Sequence, residues 1–292
     1  MADSVTDLTT GCHALIDGYG TPYGYLPAFA PGVVFCTLFG LLAGVHVIQI
    51  VTYRRFWWTI TFVVGCLTEV LGWAARIWTT RCPYNLNAFL VQFSTLIIAP
   101  TFFTAGIYIL LGCFVQIMGR RSSFLSPRSY LWIFSACDLI SIVIQAVGGG
   151  IASADSKKAN GNLDHGSNIM LAGVVFQLFS ITIFIFCACD VFYRVHQFRL
   201  SVSGASISLW RGVLTAATVC IYIRCIYRTV ELGQGPGGYL LLHENYLIAL
   251  DAVMMVLLVG ICAVFHPGWL TPQKEFLRLS EVQLLERVDR PK

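Results

Sequence analysis

The sequence predicts an all-α membrane protein: a seven-transmembrane helix bundle with its N-terminus outside and its C-terminus cytoplasmic. Three observations carry this reading: the composition, the number and length of apolar runs, and the placement of basic residues. Of 292 residues, 57% are hydrophobic and 12% charged, with a mean hydropathy of +0.72. Soluble domains carry about 25% charged residues, so a water-facing surface could not be covered. The same balance excludes disorder, which requires low hydrophobicity and high charge. No cluster of Lys and Arg interleaved with aromatics points to nucleic acid.

A hydrocarbon core of about 30 Å is crossed by roughly 20 apolar helical residues. Seven runs qualify, at about 32–52, 57–78, 88–118, 130–152, 168–192, 211–231 and 245–266. They do not alternate in polarity as the strands of a membrane barrel do. The third is long enough to tilt or to extend beyond the bilayer, and Pro100 is expected to kink it. The organisation expected is an extracellular segment 1–30, a helical domain 31–267 and a cytoplasmic tail 268–292. Residues 1–30 contain Asp3, Asp7 and Asp17, no Lys or Arg, and no long apolar core. That is not a cleaved signal peptide, so the first span is expected to direct insertion itself.

Basic residues set the orientation. With the N-terminus outside, the inner segments hold Arg54, Arg55, Arg120, Arg121, Arg128, Arg194, Arg199 and Arg211. The inner tail adds Lys274, Arg278, Arg287, Arg290 and Lys292. The outer segments hold only Arg81, Lys157 and Lys158. The positive-inside rule therefore predicts N-out, C-in. Leu277, Leu284, Leu285 and Val288 fall along one side of a possible tail helix, which would lie on the inner membrane surface or remain solvated.

Of eleven cysteines, only Cys12 and Cys82 fall in outer segments, where an oxidising environment permits a disulfide. The rest read as small apolar side chains in or beside spans. Cys187 and Cys189 are two apart and face different directions on a helix, so no metal site is expected there. No Asn-x-Ser/Thr sequon occurs.

Eight charged residues fall inside the spans: Glu69, Arg76, Asp138, Asp190, Arg224, Arg228, Glu231 and Asp251. At a helix centre each costs about 2.5–3.5 kcal/mol on the insertion scale, so such groups pair, line a cavity or handle a substrate. Glu69 and Arg76, Asp138 and Gln145, Arg224 and Glu231, and Glu244 and Asp251 are each seven apart, close to two helical turns. Each pair therefore shares a face. Glu69, Gln145 and Arg224 come out at roughly 18–22 Å from the inner boundary, and Gln92 and Asp251 reach about the same level from the outer one. Asp138 lies deeper, while Asp190, Arg76 and Glu231 are near enough to span ends to snorkel. Two readings stay open. The arginines could lock the helices as ion pairs with Glu69, Asp138 or Asp251, or the layer could form a polar cavity for a ligand headgroup.

A series of motifs runs along the chain: Tyr23-Gly24-Tyr25-Leu26-Pro27, then Glu69-x-x-Gly72-Trp73-x-x-Arg76, then Gln92, Ala99-Pro100 and Tyr108. There follow Asp138-x-x-Ser141-x-x-x-Gln145-x-x-Gly148-Gly149-Gly150 and Arg224-x-x-Tyr227-Arg228-x-x-Glu231. Gly235, Gly238, Glu244, Tyr246, Asp251 and His266-Pro267-Gly268 complete the set. In this order the motifs resemble the fungal RTA-like, lipid-translocating exporter family, and the match covers about residues 20–270. The family commonly has Ser where Ala28 stands, and Tyr where Trp73 stands. The resemblance implies a protein of the plasma or related membranes that moves or releases sphingoid bases and confers resistance to toxic amphiphiles.

The function expected is translocation or export of lipid-like amphiphiles. Glu69, Arg76, Gln92, Asp138, Gln145, Arg224, Arg228, Glu231 and Asp251 are the candidate substrate-binding residues. Acids would meet a cationic amine, and arginines would meet a phosphate or tune the acids. Membrane lipids and an amphiphilic small molecule are the partners expected, with no nucleic acid and no cofactor; protein partners and oligomeric state stay open. No phosphate-binding loop occurs, so ATP-driven pumping would require a partner. The alternative is a seven-helix receptor or sensor. Against it, the third span ends in Met118-Gly119-Arg120-Arg121, and the seventh has no Asn-Pro-x-x-Tyr. All four lysines lie outside the spans, which excludes a retinal Schiff base. An intramembrane zinc hydrolase would need clustered histidines, whereas those here are scattered and only His46 lies deep in a span. Enzymatic activity is not expected.

Overall fold

The seven apolar runs fold into seven long helices, in a computed structural model that describes Cys12, Thr21, residues 24–119, 122–155, 163–197, 204–235, 237–266 and Gly268. The helices are α1 (Phe29–Thr52), α2 (Ile60–Arg81), α3 (Leu86–Met118), α4 (Pro127–Asp155), α5 (Leu163–Gln197), α6 (Gly204–Gly233) and α7 (Glu244–Val264). Each is long and apolar enough to cross a membrane. The protein is an integral membrane protein. The tail leucines, Lys157, Lys158, Arg120, Arg121 and Arg199 lie outside the described residues.

Local chemistry sets the helix ends. Asn85 caps α3 by accepting hydrogen bonds from the amides of Asn87 (3.0 Å) and Ala88 (3.2 Å). Gly119, at φ +86°, ends the same helix in a conformation that side chains resist. Pro127 opens α4, where its missing N–H is not needed. A 3₁₀ turn at Arg54–Thr59 links α1 to α2. α7 starts with one α-turn, passes through a π-turn at Ile248–Ala252, and continues as an α-helix over Val253–Val264.

Consecutive helices pack side by side, α7 returns to α1, and α3 also touches α6. In α3, 61% of the apolar span is buried, against 28% in α1 and α4, so α3 is the central post. Apolar side chains turn outward as well as inward: Leu41, Ile48, Leu139 and Phe186 are each more than 60% exposed. An apolar exterior is what a lipid solvent requires. Polar side chains collect inside, where Glu69, Gln92, Asp138, Gln145, Arg224 and Asp251 are all buried.

α4 and α5 meet through small residues. A Cβ on Gly148 would lie 2.6 Å from the Met170 amide nitrogen, and one on Gly166 would lie 2.5 Å from that of Ala152. Gly173 is nearly as tight, at 3.0 Å from the Ser141 carbonyl oxygen. This close approach is the membrane form of helix packing, driven by contact rather than by exclusion of water. In the Gly148-Gly149-Gly150 run only Gly148 needs to be glycine on this account, since Gly150 faces open space.

At the end of the bundle that carries the N-terminus, Cys12 and Cys82 are joined by a disulfide. The backbone amide of Ala28 donates to Glu244 Oε2 at 3.1 Å, tying the entry of α1 to the start of α7.

Candidate functional site

Four residues on α6 start the site. Arg224, Tyr227, Arg228 and Glu231 occupy positions i, i+3, i+4 and i+7, so one helix face carries them all. Opposite stands Asp251, placed by the π-turn of α7; such bulges are frequent at functional positions. Its carboxylate bridges the guanidinium groups of Arg224 and Arg228. Arg228 Nη1 also pairs with Glu231 Oε2 at 3.0 Å, and Tyr227 donates to Glu231 Oε1 at 2.9 Å. Arg224 Nη2 donates to the carbonyl of Leu96 in α3. That carbonyl is free for a definite reason. Pro100 has no N–H, so the oxygen four residues earlier loses its helical partner. α3 nonetheless runs through Pro100 as one helix, and Arg224 fills the gap.

Glu69 on α2 lies beside this network and is 2% exposed. It accepts from Trp73 Nε1 at 3.2 Å and, among the described residues, forms no ion pair. The two arginines therefore stand among three carboxylates, one of which has no guanidinium of its own.

Asp138 on α4 is the second acid without a cation. Its Oδ2 accepts from Thr104 at 2.8 Å and from Tyr108 at 3.0 Å, both on α3. Its Oδ1 has no hydrogen-bond partner among the described residues, and the side chain is buried. Tyr108, Phe134 and Phe184 pack as an aromatic triad beside it, with ring centroids 4.7–5.4 Å apart.

Beside Arg224 and Arg228 runs a narrow cleft lined by Phe93 and Ile97 of α3, Gln145 of α4, Val174 and Gln177 of α5, and Arg224, Cys225, Arg228 and Leu232 of α6. It encloses about 350 Å³, including its open part, and is narrow enough to take about one water. Gln145 Nε2 donates to Ser141 Oγ at 2.7 Å and approaches Gln177 Oε1 at 3.5 Å; Ser141 in turn donates to the Gly173 carbonyl at 2.7 Å.

Towards the N-terminal end a separate pair closes the column. Arg76 Nη2 binds Glu244 Oε1 and the Tyr25 hydroxyl, both at 2.8 Å. The guanidinium carbon also lies 5.8 Å from the Trp73 ring centre, within cation–π range. Burial pushes the Tyr25 phenol above its ordinary range, and the neighbouring Arg76 guanidinium opposes that shift.

The structure thus divides the sequence-predicted residues into groups. Arg224, Arg228, Glu231 and Asp251 form one network, with Glu69 beside it and Gln145 across the cleft. Gln92 is buried one turn before Leu96. Asp138 stands apart with its hydroxyl donors, and Arg76 belongs to the end pair. Two expectations change. Arg76 and Glu231 do not snorkel; they are 0% and 5% exposed and ion-paired, because Glu244 and Arg228 reach them inside the bundle. Among the described residues Asp138 takes no arginine, since both intramembrane guanidinium groups of α6 turn to Asp251. Asp190, by contrast, is an exposed partner of Arg194 at 2.8 Å. Thr104, Gln177, Tyr25 and Tyr227 join the site although sequence reasoning did not assign them to it. Tyr227 carried a signal, its i,i+4 spacing from Glu231. Thr104 carried none, because threonine is common in apolar helices.

The model of the family described as "RTA1 like protein" matches residues 62–274, a stretch that holds most of these buried polar groups. The chain belongs to the RTA1-like family. Within Saccharomyces cerevisiae it is similar to the sphingoid long-chain base transporter RSB1 of strain S288c, at 30% identity over 281 residues, covering 84% of this chain and 73% of the relative. Protein RTA1 of the same strain is 26% identical over 273 residues, covering 84% of each chain. Protein RTM1 is 30% identical over 205 residues, covering 66% of this chain and 62% of the relative. No solved structure matches the chain. In this RTA1-like protein the buried polar groups form a column from Arg76 at the N-terminal end, through Glu69 and the α6–α7 network, to Asp138.

Proposed function

We propose that this protein moves single-chain amphiphiles with a cationic headgroup, of the sphingoid-base type, across or out of the membrane, and confers resistance to toxic amphiphiles by that route. The observation that carries the reading is the pair of buried carboxylates, Glu69 and Asp138, that form no ion pair among the described residues. An acid held in a bundle interior without a cation is suited to an ammonium group. The similarity to a sphingoid long-chain base transporter supports the choice of amine and chain.

In this reading Glu69 and Asp138 meet the amine, while Gln92, Gln145 and Gln177 offer amides to headgroup hydroxyls. Arg224, Arg228, Glu231 and Asp251 hold the acidic layer in place, and Arg76 with Glu244 closes its end. The cleft is too narrow for a headgroup as it stands, so α3 and α6 must separate from α4 and α5 when substrate enters. The N-terminus faces outward and the tail inward, in line with the basic residues, and the plasma membrane is the site of action. The receptor alternative has no support among the named relatives, one of which is a transporter.

The test is release of a labelled sphingoid base from cells with and without the gene, alongside Asp138→Asn and Glu69→Gln. Expression should raise release, and each variant should lower it at equal protein level. Unchanged release across all strains would remove the translocator reading.

A further inference from the structure

We propose that Asp138 exchanges a proton for the substrate's cationic headgroup, so that this protein couples amphiphile movement to counter-movement of protons. The proposal rests on the translocator reading above and adds a second transported species.

The cations of the bundle interior are already committed. Arg76 is taken by Glu244, and Arg224 and Arg228 by Asp251 and Glu231. Among the described residues, nothing cationic faces Asp138 from the helices packed against it. α3 presents the Thr104 and Tyr108 hydroxyls, α5 presents Phe184, and α6 presents the Cys225 thiol. On α4 itself, Phe134 lies one turn away. An ionised carboxylate buried without a counter-charge is strongly disfavoured, and the side chain escapes that by binding a proton.

The hydrogen bonds agree with this state. Thr104 and Tyr108 both lie within hydrogen-bond distance of Oδ2, and Oδ1 has no partner among the described residues. Thr104 also reaches the Thr101 carbonyl at 3.0 Å, so in the empty protein the proton sits on Oδ2 and is donated to Thr104 while Thr104 donates to Thr101. When an ammonium group arrives, the carboxylic acid O–H breaks, the proton leaves to water, and the carboxylate formed pairs with the ammonium. One positive charge enters as one leaves, so the site stays neutral throughout. Cys225 lines the cleft and lies within electrostatic reach of Asp138, which sets the exchange site close to the space where a headgroup would enter.

The test uses N,N,N-trimethylsphingosine, whose permanent charge cannot itself carry a proton. Its binding to the purified full-length chain in detergent is followed by calorimetry in two buffers of different ionisation enthalpy. The wild type should release about one proton per ligand bound, and its affinity should fall up to about tenfold for each unit by which pH is lowered. Asp138→Asn, confirmed as monodisperse, should release none. Saturable binding with no proton release, affinity independent of pH, or equal release from Asp138→Asn would each overturn the exchange while leaving the translocator reading intact. Absence of saturable binding together with unchanged cellular release would remove both.

Discussion

The α6–α7 face and the α3–α4 face of the bundle hold buried acids under opposite conditions. On the first, Asp251 and Glu231 are tied to two guanidinium groups. On the second, Asp138 has hydroxyl donors and, among the described residues, no cation. Asp251 and Asp138 are equally buried, at 3% exposure each, so depth does not separate them. Partner charge does. A paired acid cross-links helices, whereas an unpaired one is open to a proton or a ligand cation. Paired and unpaired acids thus occupy neighbouring faces of one polar interior.

The largest effect should come from breaking the paired face. Asp251→Asn takes from Arg224 its ion-pair partner and leaves Arg228 with Glu231 alone, and loss of one partner of a buried ion pair costs about 3–5 kcal/mol. Thermal unfolding in detergent should show a pronounced fall in midpoint and a shift towards aggregated protein. Should stability hold instead, the network would not be the cross-link described.

A smaller structural effect is expected where α4 meets α5. Gly148→Ala places a methyl group 2.6 Å from the Met170 amide nitrogen, and such overpacking costs about 1–3 kcal/mol. Gly150→Ala, facing open space, is the matched control. The pair of unfolding midpoints checks the claim, with only the first variant shifted.

Asp138→Asn sharpens the comparison from the other side. The amide keeps the shape and can still accept from Thr104 and Tyr108. With no ion pair to lose, stability should change by no more than about 1 kcal/mol, the net worth of an ordinary hydrogen bond. Sphingoid-base release should nevertheless fall several-fold. Variants with equal midpoints and unequal release would separate function from architecture at this position.

The least effect belongs to Asp190→Ala. Its pair with Arg194 is exposed, with side chains 42% and 37% accessible, and surface pairs are worth about 0–1 kcal/mol. Release and midpoint should both match the wild type.

A good part of this architecture is legible in the amino-acid sequence. Runs of apolar residues announce helices in a membrane because the lipid cannot satisfy a backbone left unpaired. The spacing of Arg224, Arg228 and Glu231 announces one face, since helical geometry is local. Pairing is not legible in the same way. Arg224, Arg228, Glu69, Asp138 and Asp251 allow several combinations, and only the packing of α6 against α7 selects Asp251 for both arginines. The use of the Leu96 carbonyl is a similar case. Pro100 shows that an acceptor is freed, but which donor arrives depends on the contact of α3 with α6. Tyr25 lies 51 residues before Arg76, and Glu244 lies 168 residues after it; nothing in the intervening chain points to their meeting.

The sequence by itself determined the number of spans and the stripes of polar residues along them. Each follows from residue type, helical period and rise per residue, all of which are properties of one helix at a time. The tertiary structure alone decided which acids are neutralised and which are left without a cation. That outcome turns on distances of about 3 Å between different helices, the length of a charge-assisted hydrogen bond, where rotating a helix by one residue exchanges a salt bridge for an isolated charge. Among the described residues, those distances leave Glu69 and Asp138 as the buried acids without an ion pair.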